Sequence, residues 1–545
     1  MTVSAVERAV DRRQRAPVAW LPLVLVALAA SALYTVPIVI GRVSTPTGSR
    51  FTWNYNASPD VMQYRVWEHE AQRSGPLVSN TLTSEPNPPH LLVLTYYIVG
   101  RLASAGGWRT EAVAAVVGGV CAFALTVLLF MCIRTFTDST VHAWWVFFVV
   151  LLGGGIGGHI KAISSLSSAA GFASVQRGLN AALERWLLWE EYRGHYVFNA
   201  LFDTHFLVVW LLTTASVMAL YHAIRRLSAQ RVTLACALYA LTTLAHVYEG
   251  VTLVAIAAAI AFVSWRKQIA VRPALLSGVA CSVAAGCAMA VLFVLYRRSG
   301  LPVPSWRALS ILPSIVVLAY PVAWLIIVPG LRDYWRSATL NEVFVIGWAA
   351  GCLCILFSGP FYAYPDRGAI TLQIPLYVIA GAIYFRQHAR VSWQHLAILV
   401  LLLGATPLWL LKHRIEMARQ VDNAPYAVLT PAHDTILAAL NERTHRSDVL
   451  LERPRDVLWL APEYSGVHYS GHFFLTVDYD RKRAEVDRFF DSTDPSWQAQ
   501  FLRDHQIRFV FVPAAERPQR FQSIAGLRSV ASSGVGTLFE THGRD

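Results

Sequence analysis

"VAWLPLVLVALAASALYTVPIVI", residues 18–40, is an unbroken apolar run of about 23 residues. As a helix it is long enough to cross a hydrocarbon core of roughly 30 Å. Arg8, Arg12, Arg13 and Arg15 precede it, which is how a secretory leader also begins. A leader's apolar core is only about 7–15 residues, and it ends in a small-residue cleavage site. This run is longer, and no clean A-x-A site follows. It reads as an uncleaved first span, with residues 1–16 on the cytoplasmic side, and the rest of the topology counts outward from it.

The whole chain agrees with that reading. Of 545 residues, 55% are hydrophobic and 15% charged, with a mean hydropathy of +0.43. Soluble domains carry about 25% charged residues, so the class is a polytopic α-helical membrane protein. The formal charge of +12 does not indicate nucleic acid, because the basic residues gather in short loops between apolar runs. Lysine occurs only at Lys161, Lys267, Lys412 and Lys482; with abundant alanine, that arginine bias hints at a GC-rich bacterial genome. The seven cysteines all fall in apolar runs without a CxxC pair, as packing residues do.

The expectation is about eleven spans, near 17–40, 110–133, 141–157, 201–224, 232–247, 250–265, 273–296, 309–328, 340–358, 368–385 and 393–411. The loops that would lie inside ("RTFTDST", "RRLSAQR", "RKQIAVR", "RDYWRS", "RQHAR") are all basic, as the positive-inside rule requires. Residues 17–411 then form the membrane domain, with two long outer loops, 41–109 and 158–200. In the first, "LLVLTYYIVGRLA" is too short to span comfortably and reads as a helix lying in the interface. After Leu411 the composition turns charged and mixed, so 412–545 reads as a soluble extracytoplasmic α/β domain. Its expected elements are a helix near 431–445 and strands at "VLLE" and "IRFVFV". Every sizeable polar segment falls on one face.

Within these segments a few residues carry chemistry. Ser58, Pro59 and Asp60 open a short helix, and a first-turn carboxylate is favoured by the helix dipole alone. A functional reading uses the stripe Val61, Tyr64, Trp67 and Ala71, which would rest on the membrane and leave Asp60 at the lipid boundary as a general base with Tyr64 one turn along. Glu85 and His90 flank a proline-stiffened loop, "TSEPNPPH". Glu190 and Glu191 form an acid pair amid aromatics. Asp203 and His205 open the fourth span, and His246, Tyr248 and Glu249 form the turn between the fifth and sixth. Ionisable groups at such depth are functional candidates or headgroup-zone pairs, and both readings stand. Arg367, at the outer mouth of the tenth span, would anchor a lipid headgroup or hold a phosphate. Asp478-Tyr479-Asp480 reads as a loop.

"SPDVMQYRVWEHEAQRSGPLVSNTLTSEPNPPHLLVLTYYIVGRLA" (58–103) resembles the first outer loop of bacterial membrane glycosyltransferases of the GT-C superfamily. Further echoes are "FDTHFLVVWLL", "HVYEGVTL", "YPDRGAITLQIPL", "YSGHFFLTVDYDRKRAEVDRFF" and "FLRDHQIRFVFV". The resemblance implies a GT-C-like fold and an enzyme taking a sugar from a polyprenyl-phosphate donor to a glycan, lipid or protein acceptor at the outer leaflet. Direct displacement would invert the anomeric centre. Asp60 would be the base, Arg367 would steady the departing phosphate, and Glu85 or His90 would shape the acceptor pocket. Glu190, Glu191, Asp203, His205, His246, Tyr248, Glu249 and, in the tail, His472 complete the substrate-binding candidates. Many family members carry a pair of acids in this loop, whereas Asp60 stands alone, so a divalent metal stays open and no cofactor is required. The rival readings are a flippase for lipid-linked glycans and a non-catalytic scaffold.

Overall fold

The computed structural model describes residues 20–55, 59–169, 171, 173–178, 181, 196–301, 313–359, 361–362, 364–388, 391–420 and 427–542. The chain divides into two compact units: residues 1–36, 116–291 and 306–414 in the first, and 37–115, 292–305 and 415–545 in the second.

Each of the eleven expected spans contains helix. Among the described residues seven helices are long and apolar enough to cross a membrane, or nine if each of two bent pairs is one span. The bent pairs are Thr140–Leu152 with Gly157–Ser167, at 48°, and Pro313–Ala319 with Pro321–Arg336, at 104°. Ala229–Ala245 and Leu340–Leu356 are 17 residues each, a rise of about 25 Å and the low end for a crossing. The last helix, Trp393–Arg419, runs past Leu411. Lys412, Arg414 and Glu416 end the apolar run but are good helix formers, so hydropathy stops before the helix does.

The first unit packs on small residues. Helix Leu340–Leu356 carries Gly347 and Gly351 one turn apart, and a Cβ at either would lie 2.6 Å from Ile260 Cα or 2.4 Å from Ile256 Cα. That close approach seats it on helix Val247–Lys267, as small-xxx-small pairs do in membranes. A Cβ on Gly368 would sit 2.4 Å from the Cys352 carbonyl, so the 3₁₀ turn Pro365–Ala369 presses on the same helix.

The first bent pair breaks at Gly153–Gly155, where carbonyls leave the helix ladder. Fully buried Gln373 donates to Val150 O (2.9 Å) and Gly153 O (2.8 Å) and accepts from Val197 N (3.0 Å). Thr406 Oγ1 donates to Gly155 O (2.6 Å) and accepts from Gly158 N (3.0 Å).

The second unit holds a five-stranded mixed sheet in the order Val467–His468, Val449–Leu451, Ile507–Pro513, Gly536–Thr541, Leu527–Ser533. The first three strands are parallel and the last two antiparallel. Helices Pro431–Arg443, Tyr479–Asp491 and Pro495–Asp504 supply apolar faces to two cores, one around Phe489, Phe490 and Phe521 and the other around Ile436, Leu440 and Trp459. The acid pattern expected as a loop instead opens helix Tyr479–Asp491. Lys482, Val486, Phe489 and Phe490 recur at helical spacing there and are buried together.

Replacing Gln373 by leucine strands two carbonyls and one N–H in an apolar interior, each worth about 1–3 kcal/mol. Thermal unfolding of the detergent-solubilised protein is expected to show a loss of about 3 kcal/mol or more, with Gln373→Glu, which keeps the acceptor, in between.

Candidate active site

In the second unit the helix Pro59–Ser74 begins with Pro59 in its first turn and Asp60 next to it; Ser58, the expected cap, lies outside the described residues. The helix is apolar on two sides. Met62 and Val66 pack with Leu82, Val457 and Ala461, while Ala71, Tyr64 and Trp67 pack with Val78, Val93 and Tyr96. Tyr64 stacks on Tyr96 at 5.4 Å and Trp67 lies 5.4 Å from the same ring. Tyr64, Trp67 and Ala71 of the stripe expected to rest on a membrane therefore pack against the protein, in part on helix Leu94–Gly106. That helix turns Ile98 and Leu102 outward.

Asp60 keeps 36% of its side chain exposed, and its Oδ1 lies 3.6 Å from Nε2 of the fully buried His472. Hydrogen bonds on both sides of the His472 loop fix that pairing. Thr476 Oγ1 donates to Leu82 O (2.7 Å) and accepts from His472 N (3.0 Å). Gly471 N donates to Leu82 O at 3.1 Å, an approach so close that a Cβ there would stand 3.0 Å from Leu82 Cα. Leu82 thus ties the His472 loop to the core under Asp60.

Glu85 is part of the same seam. It accepts from Thr83 Oγ1 and from Lys482 Nζ, 2.7 Å from its Oε1. Lys482 is 2% exposed, also reaches Ser84 Oγ at 2.8 Å, and lies over the Tyr469 ring at 5.0 Å. Burial pushes the Glu85 carboxyl up, but the hydrogen bonds from Lys482 and Thr83 outweigh it and hold the group below its ordinary range. His90 is buried, with Nδ1 2.9 Å from Pro88 O and its ring edge-on to Tyr296. Burial lowers its pKa against the opposing pull of that carbonyl. Both residues are built into loop structure, whatever else they do.

The first unit assembles a separate cluster. Asp203 is the cap of helix Thr204–Arg225, accepting from His205 N (2.8 Å) and Phe206 N (3.4 Å). The His205 and His246 rings are 5.0 Å apart, and His246 and Tyr248 5.3 Å. His246 Nδ1 lies 3.3 Å from Oε1 of Glu249. Glu249 is fully buried, and neither of its oxygens has a hydrogen-bond donor among the described residues. Arg367 is 8% exposed, so it is no surface anchor. Its guanidinium lies 5.6 Å from the Tyr248 ring and 5.9 Å from that of Phe206, with Nε 3.9 Å from Asp366. Tyr364 packs on Tyr248 at 4.0 Å, and Tyr362 donates to Tyr248 O at 3.4 Å.

So the structure brings His205, His246, Tyr248, Glu249 and Arg367 together in one unit, and Asp60 and His472 in the other, where Tyr64 packs on Tyr96 instead. Glu190 and Glu191 lie outside the described residues. Lys482, Asp366, Tyr362 and Tyr364 were not singled out from sequence. Lys482 had a signal, a cation in register with an apolar helix face; the others only adjoin Arg367. Among the described residues no three His, Cys, Asp or Glu side chains are grouped to hold a metal ion.

Because the folded-state pKa of Glu85 is depressed, its contribution to stability is full above its ordinary 4.5 and lost as pH falls through the lower folded value. Glu85→Gln is expected to lower the melting temperature at pH 7, where it leaves Lys482 buried without its carboxylate. The gap from wild type should narrow below about pH 4.5; a gap independent of pH would contradict the pairing.

No protein-family model matches the sequence, and no curated protein matches it. Solved structures do. The cryo-EM structure of the mycobacterial arabinofuranosyltransferase AftD aligns with TM-score 0.51 and 13% identity, over 95% of this chain and 40% of that one. A mutant of AftD aligns with TM-score 0.51 and 12% identity, over 95% and 42%. At such identity the likeness is one of fold, and this chain spans about two fifths of the enzyme's length. The chain thus shares the fold of that arabinofuranosyltransferase and, among its described residues, carries seven to nine helical segments long and apolar enough to cross a membrane.

Proposed function

We propose that this protein is an inverting membrane glycosyltransferase that moves a sugar from a polyprenyl-phosphate donor to an acceptor hydroxyl or amine at the extracytoplasmic face of a bacterial cell membrane. The fold it shares with a glycosyltransferase over 95% of its length carries this reading. Asp60 is the base: it takes the acceptor proton as the acceptor atom attacks the anomeric carbon. The bond from that carbon to the phosphate oxygen breaks, and polyprenyl phosphate leaves with the electron pair. Asp60's partial exposure, at the start of a helix fixed on two sides, supports the assignment.

Arg367 steadies the departing phosphate, for which a guanidinium fork is suited. Tyr248 supplies the aromatic face beside it. The amino terminus lies in the cytoplasm, and the carboxy-terminal sheet domain lies outside.

One observation favours a flippase: two bent helix pairs, a feature of transporters. At the first break, however, Gln373 and Thr406 satisfy the backbone, which closes the break instead of leaving it open to a substrate.

Purified protein in detergent, where flipping has no meaning, decides between them. Radiolabelled polyprenyl-phosphate arabinofuranose, with the mannose and glucose donors alongside, is offered with a membrane extract as acceptor. Transfer is expected, falling about a hundredfold or more in Asp60→Asn and roughly 10- to 100-fold in Arg367→Lys. No transfer from any donor would sink the enzyme reading, and undiminished transfer by Asp60→Asn would remove Asp60 from it.

A further inference from the structure

His472 has the geometry of a group that acts through Asp60. Its side chain has no exposed surface, so it cannot meet a substrate directly, yet its Nε2 points to within 3.6 Å of a carboxylate that can. That separation is just beyond hydrogen-bond range, and catalytic contacts in ligand-free proteins are often long and tighten when substrate binds.

The backbone also decides which ring nitrogen carries the proton. Phe474 N lies 3.2 Å from His472 Nδ1 and donates to it. A backbone N–H can only donate, so Nδ1 must present its lone pair. In the neutral ring the single proton is then on Nε2, the nitrogen facing Asp60. Among the described residues Nε2 is buried and has no other hydrogen-bond partner. The ring is held there by bonds from both ends of its own loop: His472 N to Thr476 Oγ1 at 3.0 Å, and Thr476 N to His472 O at 2.8 Å.

We infer that His472 is the positioning residue of Asp60: its Nε2–H is held by the Phe474 amide so that it donates to one carboxylate oxygen and leaves the other turned toward the acceptor. This rests on the reading of Asp60 as the base. The balance of the step is unchanged, since His472 keeps its proton throughout: the acceptor proton goes to Asp60, and the pair of electrons leaves with the phosphate. What His472 supplies is orientation. Of the rotamers of an aspartate only one aims a lone pair at the acceptor, and a fixed N–H donor on the opposite oxygen favours that one.

Two substitutions, His472→Asn and His472→Gln, separate this role from a structural one. The asparagine keeps an oxygen near the place of Nδ1 for the Phe474 amide but has no donor near Asp60. The glutamine carries an amide N–H close to the place of Nε2. The assay uses the full-length protein with radiolabelled polyprenyl-phosphate arabinofuranose, or whichever of the three donors is turned over. There His472→Asn is expected to lower kcat by roughly 10- to 100-fold with KM little changed. His472→Gln should recover to within about fivefold of wild type. In an Asp60→Asn background neither change should lower the residual rate further, because both act through the same group. Wild-type turnover by His472→Asn, or equal losses in both variants that track a fall in melting temperature, would overturn the inference while leaving Asp60 as base. An active Asp60→Asn protein would overturn both. Independently of turnover, ¹⁵N-histidine spectra, with His472 assigned by its loss in His472→Asn, should show a proton on Nε2; a proton on Nδ1 alone would overturn the inference.

Discussion

Backbone that leaves a helix inside an apolar environment has no water to bond to, and the membrane unit answers that constraint with Gln373. One amide group, wholly buried, closes two carbonyls at the end of helix Thr140–Leu152 and one N–H at Val197. Thr406 completes the repair at Gly155 and Gly158. Without such partners, irregular backbone at membrane depth costs several kcal/mol per group. The break between Gly153 and Gly155 is held by these side chains, and Gln373 ties Val197 to the start of helix Gln373–Gln387.

From there the position of the membrane-unit cluster follows by contact. Gln373 lies six residues beyond Arg367 on the same segment, so the bracket that repairs the break also anchors the 3₁₀ turn carrying the guanidinium. Gly368 presses that turn on helix Leu340–Leu356, and Gly347 and Gly351 press the latter on Val247–Lys267, whose first turn holds Tyr248 and Glu249. Arg367 comes within reach of Tyr248 because three glycines leave no room for it to be elsewhere. In lipid, where no hydrophobic effect draws helices together, that kind of packing has to do the positioning.

How much of this was legible beforehand depends on whether the signal is periodic or relational. Helix at each expected span was legible, since apolar length is a one-dimensional property, though among the described residues only seven to nine are long enough to cross; so were the strands at 449–451 and 507–513 and the helix from Pro431. Individual ionisable residues near span ends were legible for the same reason, and five of the candidates gather in one unit. Partnerships were not. The Tyr64 and Trp67 stripe has the same spacing whether it meets lipid or Tyr96. Lys482 has a helical period but its partner Glu85 is 397 positions away, and Gln373 is a single polar residue whose three bonds come from distant segments. The pairing of Asp60 with His472 joins positions 412 apart, which no local pattern can reveal.

On the proposed reading, that pairing bears on why a single acid opens helix Pro59–Ser74 where the resemblance to GT-C enzymes implies two. Two adjacent carboxylates repel each other and are stable together only with a proton or a cation between them. A single carboxylate facing an imidazole N–H has no such excess of negative charge to neutralise. On the proposed reading, orientation that an acid pair would obtain from a shared ion is obtained here from a hydrogen-bond donor fixed by the Phe474 amide. The substitution of one device for the other also explains a dependence within the second unit. The donor follows strand Val467–His468 and the acid opens helix Pro59–Ser74, so on that reading the seam between them, Gly471 on Leu82 and Lys482 on Glu85, has to be tight for the chemistry to be aligned.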